Sequence, residues 1–360
     1  MENLSFYNGS ILAGAVTTAV LALCLILVKP PQTKTFDVYR RSKIILGMGY
    51  AVYAVGISAF IAYPFRAEMP NVATAINLTY YFAAAFLFGC SFISLLSPSF
   101  CSTERIKRYI ITYFTYVLLL WTVTLSLPSG LCPAIHIAFG GWFVIQALIL
   151  IRVFLRSYRQ LRRQLDNEYA DATATFIEWL HKSAWCVIVF GILCGVFTFL
   201  PKICIASLMA TGIFVFIYIY ISMQNYALHL SPVQYVAENP LDEPPVKELD
   251  SVLVDKIEQW ITDRGYCNEH ITLESFAGHI GTNRTYISSY INTRYRCSFS
   301  AWINGMRLEL ARSILVAEPS LTLADISRQC GFSSTSYFSK LFKNDTGQTP
   351  TEYKRSFLDK

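Results

Sequence analysis

Residues 322–342 read TLADISRQCGFSSTSYFSKLF. Thr322 is followed three residues later by Asp325, a capping-box pattern with Asp in place of Glu, so a helix is expected from there through Cys330. Gly331-Phe332 turns the chain, and Ser333–Phe342 supplies a second short helix with Phe338, Leu341 and Phe342 as core positions. Two short helices joined through a Gly turn make a helix-turn-helix candidate. Residues 272–291, TLESFAGHIGTNRTYISSYI, show the same arrangement about fifty residues earlier. There Thr272 caps the first helix, Gly281 supplies the turn, and Ile287, Tyr290 and Ile291 are core positions.

Between the two lies a longer helical pattern, with Phe299, Trp302, Ile303, Met306, Leu310, Ile314 and Leu315 at helical spacing. At 1.5 Å per residue, Phe299–Val316 spans roughly 25 Å. That suffices to hold two recognition helices about one duplex turn apart, near 34 Å. Upstream, Val252, Leu253, Ile257, Trp260 and Ile261 share another helical face.

The run GFSSTSYFSKLFKNDTGQTP over residues 331–350, followed by Glu352-Tyr353, resembles the signature of the AraC/XylS family. Residues 307–315, RLELARSIL, resemble that family's connecting helix. The resemblance covers about a hundred residues, from near Val254 to the end. It implies a seven-helix, two-motif domain that reads two adjacent major-groove segments of double-stranded DNA. Carried over by position, it offers Arg284, Thr285, Ser288 and Ser289 from the first motif, and Thr335, Ser336, Ser339 and Lys340 from the second. Arg and Lys suit guanine edges or phosphates, and hydroxyls suit either. The sequence departs from the family where a Gly is common, at Arg296-Cys297. A non-Gly residue there strains the turn, and Arg296 adds a candidate phosphate contact. Thirteen Lys and Arg against eleven Asp and Glu over residues 251–360 limit non-specific DNA affinity.

Working back from this domain, residues 227–250 carry Pro232, Pro240, Pro244 and Pro245 among five carboxylates, an acidic, Pro-containing linker. Before it the solvent changes. Of the 360 residues 54% are hydrophobic and 15% charged, and the apolar ones gather before Met223. Seven stretches approach the roughly 20 residues that a bilayer core requires: 11–28, 44–63, 73–96, 109–127, 132–151, 184–200 and 204–222. Met1–Ser10 lacks Lys and Arg, so the first reads as a span rather than a signal peptide. Basic residues concentrate in alternate loops: Lys29 to Lys43, Arg105 to Arg108, and Arg152 to Lys182. By the positive-inside rule the N-terminus is outside and the C-terminal domain cytoplasmic. The expected fold class is all-α: a seven-helix transmembrane bundle (1–226), the linker (227–250), then a soluble helical domain with two helix-turn-helix motifs (251–360).

No Asp, Glu, Lys or Arg lies near a span centre, which argues against pump chemistry. Asn77 and His136 read either as interhelical hydrogen-bond formers or as parts of a ligand or sensor site. The ten cysteines form no CxxC pair, and the histidines show no ligand spacing, so neither a metal nor a cofactor is expected. No nucleophile–base pair or phosphate loop points to an enzyme. The expectation is a membrane-integrated, sequence-specific transcription regulator in a bacterial inner membrane. Its expected partners are double-stranded DNA, the lipid bilayer, RNA polymerase, a second copy and a small-molecule signal. The alternative is a transporter- or receptor-like membrane protein that uses the DNA-binding domain as anchor or autoregulator.

Overall fold

The computed structural model describes residues 2–33, 36–97, 100, 103–170, 177–197, 202–227 and 251–358. Among them are fifteen α-helices and no strand, with one isolated antiparallel bridge between Tyr169 and Thr272. The fold class is thus the all-α one expected. The chain divides into two compact units, Met1–Arg159 with Glu178–Ala237, and Gln160–Ile177 with Glu238–Lys360. From residue 228 onward the expected linker lies outside the described residues.

The first unit holds α1 (Glu2–Leu27), α2 (Asp37–Ala62), one-turn α3 (Phe65–Glu68), α4 (Pro70–Leu96), α5 (Thr103–Ser126), α6 (Cys132–Glu168, to Arg159), α7 (Glu178–Phe197) and α8 (Lys202–Tyr226). Among the described residues six helices are long and apolar enough to cross a membrane: Phe6–Leu27, Asp37–Ala62, Pro70–Leu96, Glu104–Ser126, Cys132–Glu168 and Cys204–Tyr226. The stretch 184–200 falls on α7, which is not among the six. Glu178, His181 and Lys182 occupy its first turns, and residues 198–200 lie outside the described residues. At 37 residues α6 is about 55 Å long, against a hydrocarbon core of about 30 Å. Its excess carries Arg152, Arg156, Arg159, Arg162 and Arg163.

Small and aromatic residues bring these helices together. A Cβ on Gly47 would stand 2.8 Å from Ile26, and one on Gly56 2.2 Å from the Tyr80 ring, so α2 meets α1 and α4 closely through these glycines. Tyr53 packs on Tyr80 and Phe216 with ring centroids 5.6 and 4.9 Å away. Buried Tyr50 donates its hydroxyl to the Phe216 carbonyl at 2.7 Å. The outer faces carry Val55, Leu125 and Phe214, each more than 70% exposed. So many outward apolar side chains fit a lipid solvent better than water.

In the second unit, residues 251–358 form seven helices: α9 (Ser251–Thr262), α10 (Leu273–Ile280), α11 (Arg284–Tyr295), α12 (Phe299–Ala317), α13 (Leu323–Gln329), α14 (Thr335–Thr346) and α15 (Pro350–Leu358). The spine is α12, about 28 Å long at 19 residues. Its first half gives Phe299, Trp302 and Ile303 to a core with Ile257, Trp260, Phe276, Ile287 and Ile291. Its second half gives Leu308, Ala311 and Leu315 to a core with Ile326, Phe332, Phe338 and Phe342. Tyr290 and Leu341 are only partly buried against these cores, and Val252 is 57% exposed rather than facing inward.

Candidate functional site

Each motif is built by the same local devices. In the first, the Thr272 hydroxyl accepts the Ser275 N–H and the Ser275 hydroxyl accepts the Thr272 N–H, a reciprocal box that starts α10. In the second, the Thr322 hydroxyl accepts the Asp325 N–H at 3.2 Å. The Asp325 carboxylate takes the Thr322 hydroxyl at 2.5 Å, Asp being one methylene shorter than the Glu of a full box. Gly281 (φ 88°) and Gly331 (φ 83°), fifty positions apart, turn the chain in the left-handed region. Asn283 then caps α11 by accepting the Tyr286 N–H, and Ser334 caps α14 by accepting the Tyr337 N–H.

The matched caps put Arg284 and Thr335 at the first position of the two recognition helices, Thr285 and Ser336 at the second, and Ser289 and Lys340 at the sixth. Ser336 and Lys340 are exposed, and Arg284, Thr285, Ser289, Thr335 and Ser339 are half-buried. Ser288 departs from the expectation. It is 8% exposed between core residues Ile287 and Ile291, and its hydroxyl lies 3.4 Å from Asn292 Nδ2. Its inward side of α11 withdraws it from the outer face. Arg296 occupies the αL C-cap of α11 (φ 54°), where Gly347 (φ 78°) stands in the second motif. The expected strain at this non-Gly residue is present, and its side chain is exposed.

Sequence reasoning missed two groups. Arg307 is fully buried on α12, donating to the Tyr266 carbonyl at 2.8 Å and the Asn268 carbonyl at 2.9 Å, and lies 5.5 Å from the Phe332 ring centroid. It ties the turn before α10 to the second core. The other group is Glu168, which ends α6 within the second unit. Its carboxylate lies 3.4 Å from Arg284 and accepts the Glu274 N–H at 3.3 Å. Burial pushes its carboxyl above the ordinary range, and the charge of Arg284 pulls the other way.

In the first unit Asn77 and His136 come together on the wall of one cavity of about 680 Å³, between α4, α6 and α7. The rest of the wall is mostly apolar, including Tyr81, Phe143 and Ile188. His136 Nε2 lies 2.9 Å from the Thr124 hydroxyl. Asn77 is 1% exposed, and neither its amide nitrogen nor its oxygen has a hydrogen-bond partner. Among the described residues no group of His, Cys, Asp and Glu is placed to hold a metal ion.

Comparison with known proteins finds a family match within the second unit. A helix-turn-helix domain family matches residues 276–356. The regulatory protein PocR of Salmonella typhimurium is 32% identical over 90 residues, 25% of this chain and 29% of that protein. The arabinose operon regulatory protein of the same organism is 27% identical over 96 residues, 27% of this chain and 34% of its own length. ExsA, a transcriptional regulator of Pseudomonas aeruginosa, is 28% identical over 114 residues, 32% of this chain and 40% of its own. The chain therefore spans about a third of the length of each of these three relatives. No solved structure matches it at a significant level. The paired caps, the repeated αL glycines, the two-core spine and this match identify the C-terminal domain as an AraC-type helix-turn-helix domain.

Proposed function

We propose that the chain is a membrane-integrated, sequence-specific transcription regulator, in which the first unit senses a signal and the second binds promoter DNA in the cytoplasm. The observation that carries this reading is the presence of both in one chain: two equivalently capped recognition helices on one spine and, among the described residues, six helices long and apolar enough to span a bilayer. Arg284, Thr285 and Ser289, with Thr335, Ser336, Ser339 and Lys340, form the reading face, and Arg296 adds a phosphate contact. Ser288 supports α11 from within. The alternation of basic loops supports an inner-membrane location with the N-terminus outside.

The signal site is the cavity of Asn77 and His136. An almost wholly apolar wall with one unpaired amide suits a hydrophobic small molecule carrying a hydrogen-bonding group. A second copy of the chain and RNA polymerase are the remaining partners of this reading.

Genome-wide occupancy of the full-length protein in its own cells, beside a Thr335→Ala/Lys340→Ala variant, tests it. Discrete sites lost in the variant are the expected result. Occupancy indifferent to the variant, or reporter fusions placing the C-terminus outside, would sink the proposal.

A further inference from the structure

The Glu168 carboxylate sits at the N-terminus of α10. Glu274, whose N–H it accepts, is the second residue of α10, a position where backbone donors lack partners within the helix. Helix N-termini favour negative charge, and the Arg284 guanidinium closes the site from the first turn of α11. The carboxylate is nearly fully buried there, its side chain 3% exposed.

The residues beside it are anchored by their backbone. Ala170 donates its N–H to the Ile271 carbonyl at 3.4 Å, and its own carbonyl accepts Asn304 Nδ2 at 2.8 Å. Its side chain is fully buried in the first core. Glu168, Tyr169 and Ala170 lie outside the matched domain, which covers residues 276–356. Glu168 is the last residue of α6, and Tyr169 and Ala170 follow it directly.

We propose that the α10 N-terminus and Arg284 form a site for a DNA backbone phosphate, and that Glu168 occupies it in place of that phosphate. Glu168 and a DNA phosphate then exclude one another at this site, and withdrawal of Glu168 frees Arg284 and the α10 N-terminus for DNA. This rests on the DNA-binding reading above. A domain latched nine-tenths of the time binds about tenfold more weakly than one always open.

The test uses full-length protein in lipid nanodiscs and a labelled random-sequence duplex of about four helical turns, at one low salt concentration. Glu168→Ala empties the site, and Ala170→Asp ejects the segment from the core. Both are expected to bind about tenfold more tightly. They change the net charge in opposite directions, so a general electrostatic effect would move them apart. With Arg284→Ala added, the gain should shrink. Wild-type affinity in both variants, or shifts that simply follow net charge, overturn the latch. Absence of duplex binding in every form overturns the DNA-binding reading and the latch with it. A melting curve shows whether Ala170→Asp has kept its fold, and Glu168→Ala decides alone where it has not.

Discussion

Arg296 holds a backbone conformation that costs an L-residue about 1–2 kcal/mol. Arg296→Gly is therefore expected to stabilise the DNA-binding domain by about 1 kcal/mol, less the entropy a glycine adds to the unfolded chain. A thermal melt reads this. The same variant should lose duplex affinity at low salt, which distinguishes a phosphate contact from a merely altered loop. At Glu168 the sign of the pH effect follows from its burial. A carboxyl raised in the docked state binds its proton more tightly there than when released. Docking thus strengthens as pH falls through the raised value toward the ordinary one, and weakens as pH rises. The groups facing it are Tyr169 on its own segment, Glu274 on α10 and Arg284 on α11. Hydrogen exchange at the Ala170 N–H, corrected for its intrinsic rate, should slow on mild acidification. Glu168→Ala should remove that dependence, and an unchanged dependence would contradict the assignment to Glu168.

Two elements depend on single positions. A Cβ on Gly331 would come 2.4 Å from the Cys267 carbonyl oxygen, whereas one on Gly281 would meet nothing closer than the Lys256 amine at 3.7 Å. Gly331→Ala is therefore expected to cost clearly more stability than Gly281→Ala, whose cost is the conformational one of about 1 kcal/mol. On α12, Arg307→Met should cost about 2–4 kcal/mol, because it leaves the Tyr266 and Asn268 carbonyls without their donor. Urea midpoints for these three variants check the order. Elements of this kind were legible in the sequence, since caps, turn glycines and apolar spacing act over three to five residues. Ser288 was misplaced outward, although it directly follows core Ile287 and precedes Ile291 by three. Arg307 carried a usable signal, standing four residues after Ile303 and four before Ala311 on the buried stripe. The Glu168–Arg284 contact joins residues 116 positions apart and leaves no local pattern.

At the scale of the molecule, the apolar outer faces and the cavity belong to one unit and the proposed reading face to the other. Asn77→Leu replaces an unpaired buried amide with a side chain of similar size. It should raise the melting temperature of the detergent-solubilised protein while leaving DNA occupancy in place. If the cavity takes the signal, the variant should also blunt the change of occupancy between growth conditions. The matched caps at Asn283 and Ser334 have one more consequence. The helices they begin are copies in backbone but not in side chains: Arg284 answers to Thr335, and Ser289 to Lys340. A reader assembled from two unlike halves has no twofold axis, so one copy has no use for a palindrome. If it reads DNA as proposed, its binding site has a direction, and turning that site end for end upstream of a gene would present a different surface of the protein to whatever begins transcription there.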